Sequence, residues 1–172
     1  MKSLVKTALV VLLACSSLPG AWAAPAPSGS VVVSGAVKTV LTLKPEDLRA
    51  FPAEQISSVT LTRKIDGKEQ GSTVRGVKLS AILERAGLPS GGDRNDWKRM
   101  VVLAGAVDGY RVAFSWPELI NTEVGAGVLV LFERDGVALD DGEGRIALIS
   151  ARDLRAGPRH VKWLSQIELR LL

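Results

Sequence analysis

A loop rich in arginine lies between the last two apolar runs of the chain and carries its only histidine. The runs are Ile146–Ile149 and Val161–Leu169, and the second alternates with the period of a half-buried strand. The loop holds Arg152, Asp153, Arg155, Arg159 and His160. Strands fix the residues of a connecting loop, and guanidinium groups match phosphate and carboxylate oxygens. We interpret the loop as a candidate binding site for an anion, with an ordinary solvated connection as the alternative.

Further residues that could contact an anion lie upstream of this loop. The full set of candidate ligand-binding residues is Arg63, Arg75, Tyr110, Arg145, Arg152, Arg159 and His160. Within this set we expect Arg63, Arg75 and Arg145 to contact an anionic small molecule. Tyr110 follows a predicted turn and fits either packing or binding. We interpret Trp97 and Trp163 as packing residues of the core or its rim.

The usual catalytic and metal-binding patterns are missing from the sequence. No serine sits in a Gly-x-Ser-x-Gly elbow, and there is no phosphate-binding loop or dinucleotide fingerprint. One histidine and one cysteine, Cys15, cannot supply an ordinary zinc site. Asp140, Asp141 and Glu143 lack the spacing of a calcium-binding loop and read as an exposed turn. We therefore predict no catalytic residue and no metal ligand.

The first residues have the features of an export signal. Lys2 and Lys6 precede the apolar run Ala8–Ala14, and Ala21-Trp22-Ala23 has the form of a signal-peptidase site. We predict a signal peptide at 1–23, a mobile lead-in at 24–30 and a single domain at 31–172, in a periplasmic or secreted protein. Cys15 follows a sequence like a lipoprotein processing box, so a lipid-anchored form is the alternative. No later segment reads as a transmembrane helix.

Length and charge narrow the class of protein further. The chain has 172 residues, 47% of them hydrophobic, which fits one globular domain after processing. The leader removes two of the 22 basic residues and none of the 18 acidic ones, which leaves a net charge of +2. That small charge, without a basic stripe interleaved with aromatic residues, argues against a nucleic-acid partner.

The predicted elements are short strands with a few short helices. Strand patterns cover Val31–Val33, Val37–Leu43, Ile56–Ile65, Met100–Val107, Tyr110–Phe114 and Val128–Phe132. Leu79, Ile82, Leu83 and Ala86 have helical spacing before a stop at Gly87, and Ser115 with Glu118 forms a capping box. Pro89–Asp96 reads as a loop. The absence of regular βαβ alternation predicts an α+β fold.

The order of several short motifs resembles one known family. The motifs are Val33-Ser34-Gly35-x-Val37, Leu41-Thr42-Leu43 with Asp47-Leu48, Gly76-Val77-x-Leu79 before Leu83 and Ala86-Gly87, Asp108-Gly109-Tyr110, Ser115 with Glu118-Leu119, Asp135-Gly136, Gly144-Arg145-Ile146-x-Leu148 and Val161-Lys162-x-Leu164-x-x-Ile167-Glu168. Together they resemble the oxidoreductase molybdopterin-binding domain, the catalytic domain of sulfite oxidase and its relatives. The resemblance covers nearly all of the chain after the leader. It implies a sulfite-oxidase-type α+β fold with mixed β-sheets and a few short helices.

The resemblance also implies a molybdenum–pterin cofactor, held through a cysteine thiolate just after the strand that corresponds to Val59-Thr60-Leu61. Here that strand continues as Thr62-Arg63-Lys64, without sulfur. A hydroxyl or a guanidinium does not replace a soft thiolate ligand. The segment Ser150–Asp153 departs from the family as well, since many members carry a proline there. We therefore predict that the chain holds no cofactor. Molybdopterin is the cofactor that the family resemblance would otherwise imply.

These observations favour a domain of this fold without molybdenum redox activity. It would be a ligand-binding or accessory module, with an anionic small molecule or a periplasmic protein as its partner. The alternative is a molybdopterin-dependent oxidoreductase that binds the pterin without a cysteine ligand. A purely structural envelope protein, with no small-molecule site, is a third hypothesis.

Overall fold

The computed structural model describes residues 26–88 and 95–172, with every side chain in those ranges except those of residues 63–65. The predicted signal peptide at 1–23 and most of the predicted loop Pro89–Asp96 lie outside the described residues. The segment boundaries therefore stay predictions. Within the described ranges, no helix is both long enough and apolar enough to cross a bilayer.

The described residues form ten strands and four α-helices. In chain order they are β1 (Val31–Gly35), β2 (Leu41–Leu43), α1 (Pro45–Arg49), β3 (Ile56–Ile65), β4 (Lys68–Lys78), α2 (Leu79–Ala86), β5 (Met100–Ala106), β6 (Arg111–Ser115), α3 (Trp116–Asn121), α4 (Glu123–Ala126), β7 (Val128–Arg134), β8 (Val137–Ala138), β9 (Ala147–Ser150) and β10 (Leu164–Leu171). Short 3-10 helices lie at Ala53–Gln55, Asp96–Arg99 and Gly157–Arg159. The α+β class is confirmed.

Two five-stranded sheets make up the domain. In the first, the order is β2-β1-β10-β5-β6, and β1 runs parallel to β10 while the other pairs are antiparallel. In the second, the order is β3-β4-β7-β8, and β9 also pairs with β7. The first sheet is therefore mixed, as predicted. In the second sheet β3 is an edge strand, and among residues 26–88 and 95–172 it pairs only with β4.

The main core lies between the two sheets and is completed by helix residues. Phe114 of the first sheet, Phe132 of the second and Leu83 of α2 belong to the same buried cluster. A second cluster lies on the other face of the second sheet: Leu61, Val74, Leu129, Leu131, Leu139, Ala147 and Ile149. Strand β7 contributes to both clusters, which explains its uninterrupted apolar run, because a strand buried on both faces does not alternate.

The sequence predicts the last strand as one uninterrupted run over Val161–Leu169, and the structure differs from this prediction. Val161 forms only an isolated bridge with Leu148, and the strand itself begins at Leu164. Trp163 has a φ of +49°, and the pairing with β5 shifts between Leu164 and Gln166. A bulge changes which face each later side chain occupies. Leu164 and Ile167, on either side of the bulge, are consequently both buried, although strict alternation would place residues three positions apart on opposite faces.

The region just before β1 takes part in the packing. Ser28 lies in the segment predicted as a lead-in, yet its side chain is buried. Its hydroxyl donates a hydrogen bond to the carbonyl oxygen of Gly144, at 2.8 Å. The packed part of the domain thus includes Ser28 as well as residues from 31 onward.

Candidate functional site

The arginine-rich loop is held at both ends by the second sheet. It leaves β9 at Ser150 and returns at Val161, whose backbone N–H and C=O both bond Leu148 at 2.8 Å. The 3-10 helix Gly157–Arg159 precedes this bridge. Tyr110 directly precedes β6 of the first sheet. Its hydroxyl donates a hydrogen bond to the Pro158 carbonyl oxygen at 2.6 Å. The loop is therefore tied to both sheets.

Arg159, near the end of this loop, lies at the centre of an ion-pair network. Its Nε donates to Asp153 Oδ2 at 2.6 Å, its Nη2 to Asp153 Oδ1, and its Nη1 to Glu118 Oε1 at 2.8 Å. The guanidinium carbon also lies 4.7 Å from the ring centroid of Phe114. The hydrogen bonds that Arg159 donates to Asp153 are the main cause of the raised pKa of Arg159, and they outweigh the effect of burial. The arginine is therefore a permanent, already neutralised cation.

Asp153 is held as a carboxylate by the same contacts. Hydrogen bonding from Arg159 lowers the pKa of Asp153, against the opposing effect of burial, and the Ser150 hydroxyl lowers it further. The Ser150 Oγ donates to Asp153 Oδ1 at 2.8 Å. Bonds to the charged form of a carboxylate favour that form. The network fixes the loop and leaves no proton on Asp153 near neutral pH.

Glu143 forms a second cluster with the only histidine. His160 Nε2 lies 2.9 Å from Glu143 Oε2, while Arg134 Nη2 and Lys162 Nζ lie 3.2 and 3.5 Å from Oε1. Burial would raise the pKa of Glu143, but the His160 hydrogen bond and the charges of His160, Arg134 and Lys162 lower it to about 2. A cleft of about 370 Å³ opens beside this cluster and is lined by Arg134, Asp135, Val137, Ala138, Leu139, Asp140, Gly142, Glu143 and Lys162.

A tight turn puts Glu143 in this position. The Glu143 carbonyl accepts a hydrogen bond from Trp163 N at 2.9 Å, and Asp140 Oδ1 accepts one from Glu143 N at 2.9 Å. Gly144 has a φ of +89°, and a Cβ there would lie 2.4 Å from the Trp163 Cα. Only glycine allows that conformation and that close approach. The turn therefore holds Glu143 against the residues that flank His160.

The structure brings some of the predicted site residues to one loop and leaves others elsewhere. Tyr110 joins Arg152, Arg159 and His160 around the loop. Arg75 instead pairs with Glu133 at 3.9 Å, and Arg145 pairs with Asp141 at 2.9 Å. Arg152 pairs with Glu123. The side chain of Arg63, on β3, lies outside the described set. Among the described candidates, no two arginines share a carboxylate, so their convergence on one anion stays a prediction.

Sequence reasoning missed the carboxylates that neutralise these cations. The sequence predicts Glu118 only as part of a capping box. The Ser115 hydroxyl does accept a hydrogen bond from the Glu118 N–H at 3.2 Å, but the Glu118 side chain also bonds Arg159. Glu143 was assigned to an exposed turn, yet only 13% of its side chain is exposed. Neither contact has a local signal, because the partners come from distant parts of the chain.

A second cavity lies beside the edge strand β3, where the family resemblance places the metal ligand. Its volume is about 420 Å³, and it is lined by Thr60, Leu61, Thr62, Ile149, Ala151, Asp153, Leu154, Ala156 and Gly157. Most of these are apolar or hydroxyl residues. Asp153 is the single charged residue of this lining, and both of its carboxylate oxygens already bond Arg159.

Comparison with known proteins supports the fold alone. No protein-family model matches the chain, and no curated protein matches it in sequence. Among solved structures, the chain is similar to the sulfane dehydrogenase SoxCD from Paracoccus pantotrophus, with a TM-score of 0.60 and 19% identity. The predicted sulfite-oxidase-type fold is confirmed. The match covers 81% of this chain but only 37% of the neighbour's chain.

The residues beside β3 do not fit the cofactor that this fold family implies. The cavity lining offers hydroxyls, one engaged carboxylate and apolar groups. The family resemblance implies a soft thiolate ligand there, and the chain has no cysteine after Cys15. Within the described ranges, no cluster of three or more histidine, cysteine, aspartate or glutamate residues is arranged to hold a metal ion. Among the described residues, the lining of this cavity therefore lacks the thiolate that the resemblance implies for the metal.

Proposed function

We propose that this chain is an exported binding module on a sulfite-oxidase-type scaffold, without molybdenum redox activity, and that its ligand site is the cavity beside β3. The observation that supports this proposal is the donor set of the cavity: it contains Thr62, directly after Val59-Thr60-Leu61, where the resemblance implies a thiolate. The predicted signal peptide supports the exported location, and the missing thiolate supports a binding or accessory role there.

The lining indicates the chemistry of the ligand. Leu61, Ile149 and Ala156 favour an apolar body, because burying apolar surface is the main gain on binding in such cavities. Arg63 and Lys64 follow Thr62 directly along β3, at one end of the lining. Successive residues of a strand belong to opposite faces, so one of these two cationic positions shares the face of Leu61, and it favours an anionic group on the ligand. The proposed ligand class is a small molecule with an apolar body and one anionic end.

Metal analysis tests the absence of molybdenum chemistry. We expect the processed protein, matured in a host that makes the molybdenum cofactor, to contain less than about a tenth of a molybdenum atom per chain, because no thiolate is present to hold it. Elemental analysis by mass spectrometry measures this, with a molybdoenzyme from the same host as the loading control. One molybdenum atom per chain would end the proposal.

A second candidate function is a molybdopterin-dependent oxidoreductase that binds the pterin without a cysteine ligand. The fold shared with a sulfane dehydrogenase favours it. The same metal analysis separates the two functions. A molybdenum-loaded chain that reduces a dye with a reduced sulfur compound as electron donor would support the oxidoreductase.

Octanoate is a suitable probe of the proposed ligand class, and octanol is its uncharged analogue. We expect octanoate to bind more tightly than octanol by about tenfold, a difference of about 1.4 kcal/mol that one charge-assisted contact can supply. Ala156→Trp, which fills the cavity, should abolish binding of both probes in isothermal titration calorimetry. Ala53→Trp is the matched control, since Ala53 is exposed in a 3-10 helix outside the lining. Equal octanoate binding by both variants would contradict the placement of the site.

A further inference from the structure

One leucine lies in solvent at the mouth of the cavity beside β3. Leu154 is fully exposed, and among the exposed large hydrophobic residues of the described ranges it alone lines this cavity. A single exposed leucine is ordinary on a protein surface. This one differs from the others because it borders a space of about 420 Å³ with an apolar floor. Its position makes it a candidate contact for the body of a ligand.

The floor of the cavity belongs to the smaller of the two hydrophobic clusters. Leu61 and Ile149 line the cavity and are buried members of the cluster on the second sheet's face away from the main core. Ala151 and Ala156 of the loop are half-buried and pack against the same cluster. The loop therefore covers the cluster with two small residues, while the larger Leu154 stays outside. An apolar body in the cavity would have buried side chains beneath it and Leu154 at its open side.

The loop fixes the position of Leu154 from both sides. The preceding residue, Asp153, accepts hydrogen bonds from Arg159 through both carboxylate oxygens. After Leu154, the Pro158 carbonyl oxygen accepts a hydrogen bond from the Tyr110 hydroxyl at 2.6 Å. A segment that is already held in place loses little conformational freedom when it contacts a ligand. Contact with Leu154 can therefore add to affinity at a small entropic cost.

The charges beside Leu154 disfavour an anionic group at this end of the cavity. Asp153 lines the cavity, and its carboxylate and that of Glu118 share the single guanidinium of Arg159. Two negative charges and one positive charge leave this group of three with a net negative charge. Arg155 follows Leu154 in the chain but does not line the cavity. A ligand carboxylate placed here would be repelled, because bringing like charges together in an interface costs binding free energy.

We propose that Leu154 and Asp153 determine which end of the ligand lies under the loop. Leu154 packs on the apolar end, and Asp153 keeps the anionic end away from it. This inference rests on the proposed function and adds an orientation of the ligand to it. It also narrows the ligand class to molecules with one anionic end, such as monocarboxylates, and excludes dicarboxylates of the same length.

Isothermal titration calorimetry of the processed chain with octanoate and octanedioate tests this orientation. The unmodified chain should bind octanoate at least about tenfold more tightly than octanedioate. Leu154→Ser should weaken octanoate binding by about tenfold, because the ligand then loses the apolar surface of the leucine. Leu172→Ser is the matched control, since Leu172 is an exposed leucine outside the lining.

The outcomes of this titration separate the orientation from the proposed function. Equal octanoate binding by Leu154→Ser and the unmodified chain would overturn the role of Leu154 and leave the ligand site standing. Failure of the unmodified chain to bind octanoate would contradict the proposed function and this inference with it.

A gain of affinity gives the second readout. Leu154→Lys should raise the affinity for octanedioate by at least about tenfold, because an ammonium at this place can pair with the second carboxylate. Leu172→Lys is its control, since it changes the net charge equally outside the lining. Leu154 is fully exposed, so its substitutions should leave the fold intact, which circular dichroism checks. Unchanged octanedioate binding by Leu154→Lys would overturn the proposed orientation.

Discussion

Arg159→Ala should lower the free energy of unfolding by about 3 kcal/mol, one of the two largest effects that we expect from a single substitution in this chain. The change leaves Asp153, which is 13% exposed, without the cation that bonds both of its oxygens. Glu118 loses its partner as well, and Phe114 loses the guanidinium above its ring. Removing one partner of a buried ion pair costs more than the pair contributes, because it strands a desolvated charge. Urea denaturation followed by circular dichroism measures the loss.

Arg155→Ala is the matched control for this experiment. Arg155 lies in the same loop, is exposed and has no ion pair with the described residues. Its removal should change the free energy of unfolding by less than about 0.5 kcal/mol. The loss of unfolding free energy in Arg159→Lys should lie between those of Arg159→Ala and Arg155→Ala, because an ammonium keeps the charge but not the bidentate contact with Asp153. Equal stability of Arg159→Ala and Arg155→Ala would show that the network does not hold the loop.

Local features of the sequence predicted the elements of the fold well. The helix over Leu79–Ala86 appears with the predicted apolar face and ends before Gly87, whose φ is +72°. The hairpin at Asp108-Gly109 and the edge strand Ile56–Ile65 are also present. Each of these signals lies within a few residues, where propensity and periodicity act. Such signals do not say how the strands are ordered in a sheet.

The contacts of the candidate site were beyond local reasoning. Arg159 and Glu118 are 41 residues apart, and Arg134 and Glu143 come from opposite sides of β8. A single sequence shows an arginine as a free cation, although a half-buried guanidinium is stable only with a carboxylate nearby. The interpretation of the loop as a positively charged site for an anion therefore did not include the carboxylates that pair with its arginines. The bulge before Gln166 escaped prediction likewise, because it depends on the partner strand.

We expect Glu143 to cause a large part of the decrease in the free energy of unfolding as the pH is lowered. Its folded-state pKa is about 2, below the ordinary value of 4.5, so the stabilisation is complete above pH 4.5 and is lost as the pH falls toward 2. A difference of this size corresponds to about 3 kcal/mol at neutral pH. Glu143→Gln should therefore lower the free energy of unfolding at neutral pH by about that amount, and its stability should vary less with pH across this window. Urea titrations at several pH values measure both effects.

Glu84→Gln is the control for the loss of a carboxylate, since Glu84 is exposed on α2. The free energy of unfolding of Glu84→Gln should equal that of the unmodified chain at every pH. The Glu143→Gln curve should instead approach the unmodified curve near pH 2, because protonated glutamate and glutamine are both neutral and can both accept a hydrogen bond. Parallel curves with a constant gap would mean that Glu143 stabilises the turn through shape alone. Convergence would mean that its charge holds Arg134, His160 and Lys162 together, which are the residues that border the loop and the cleft.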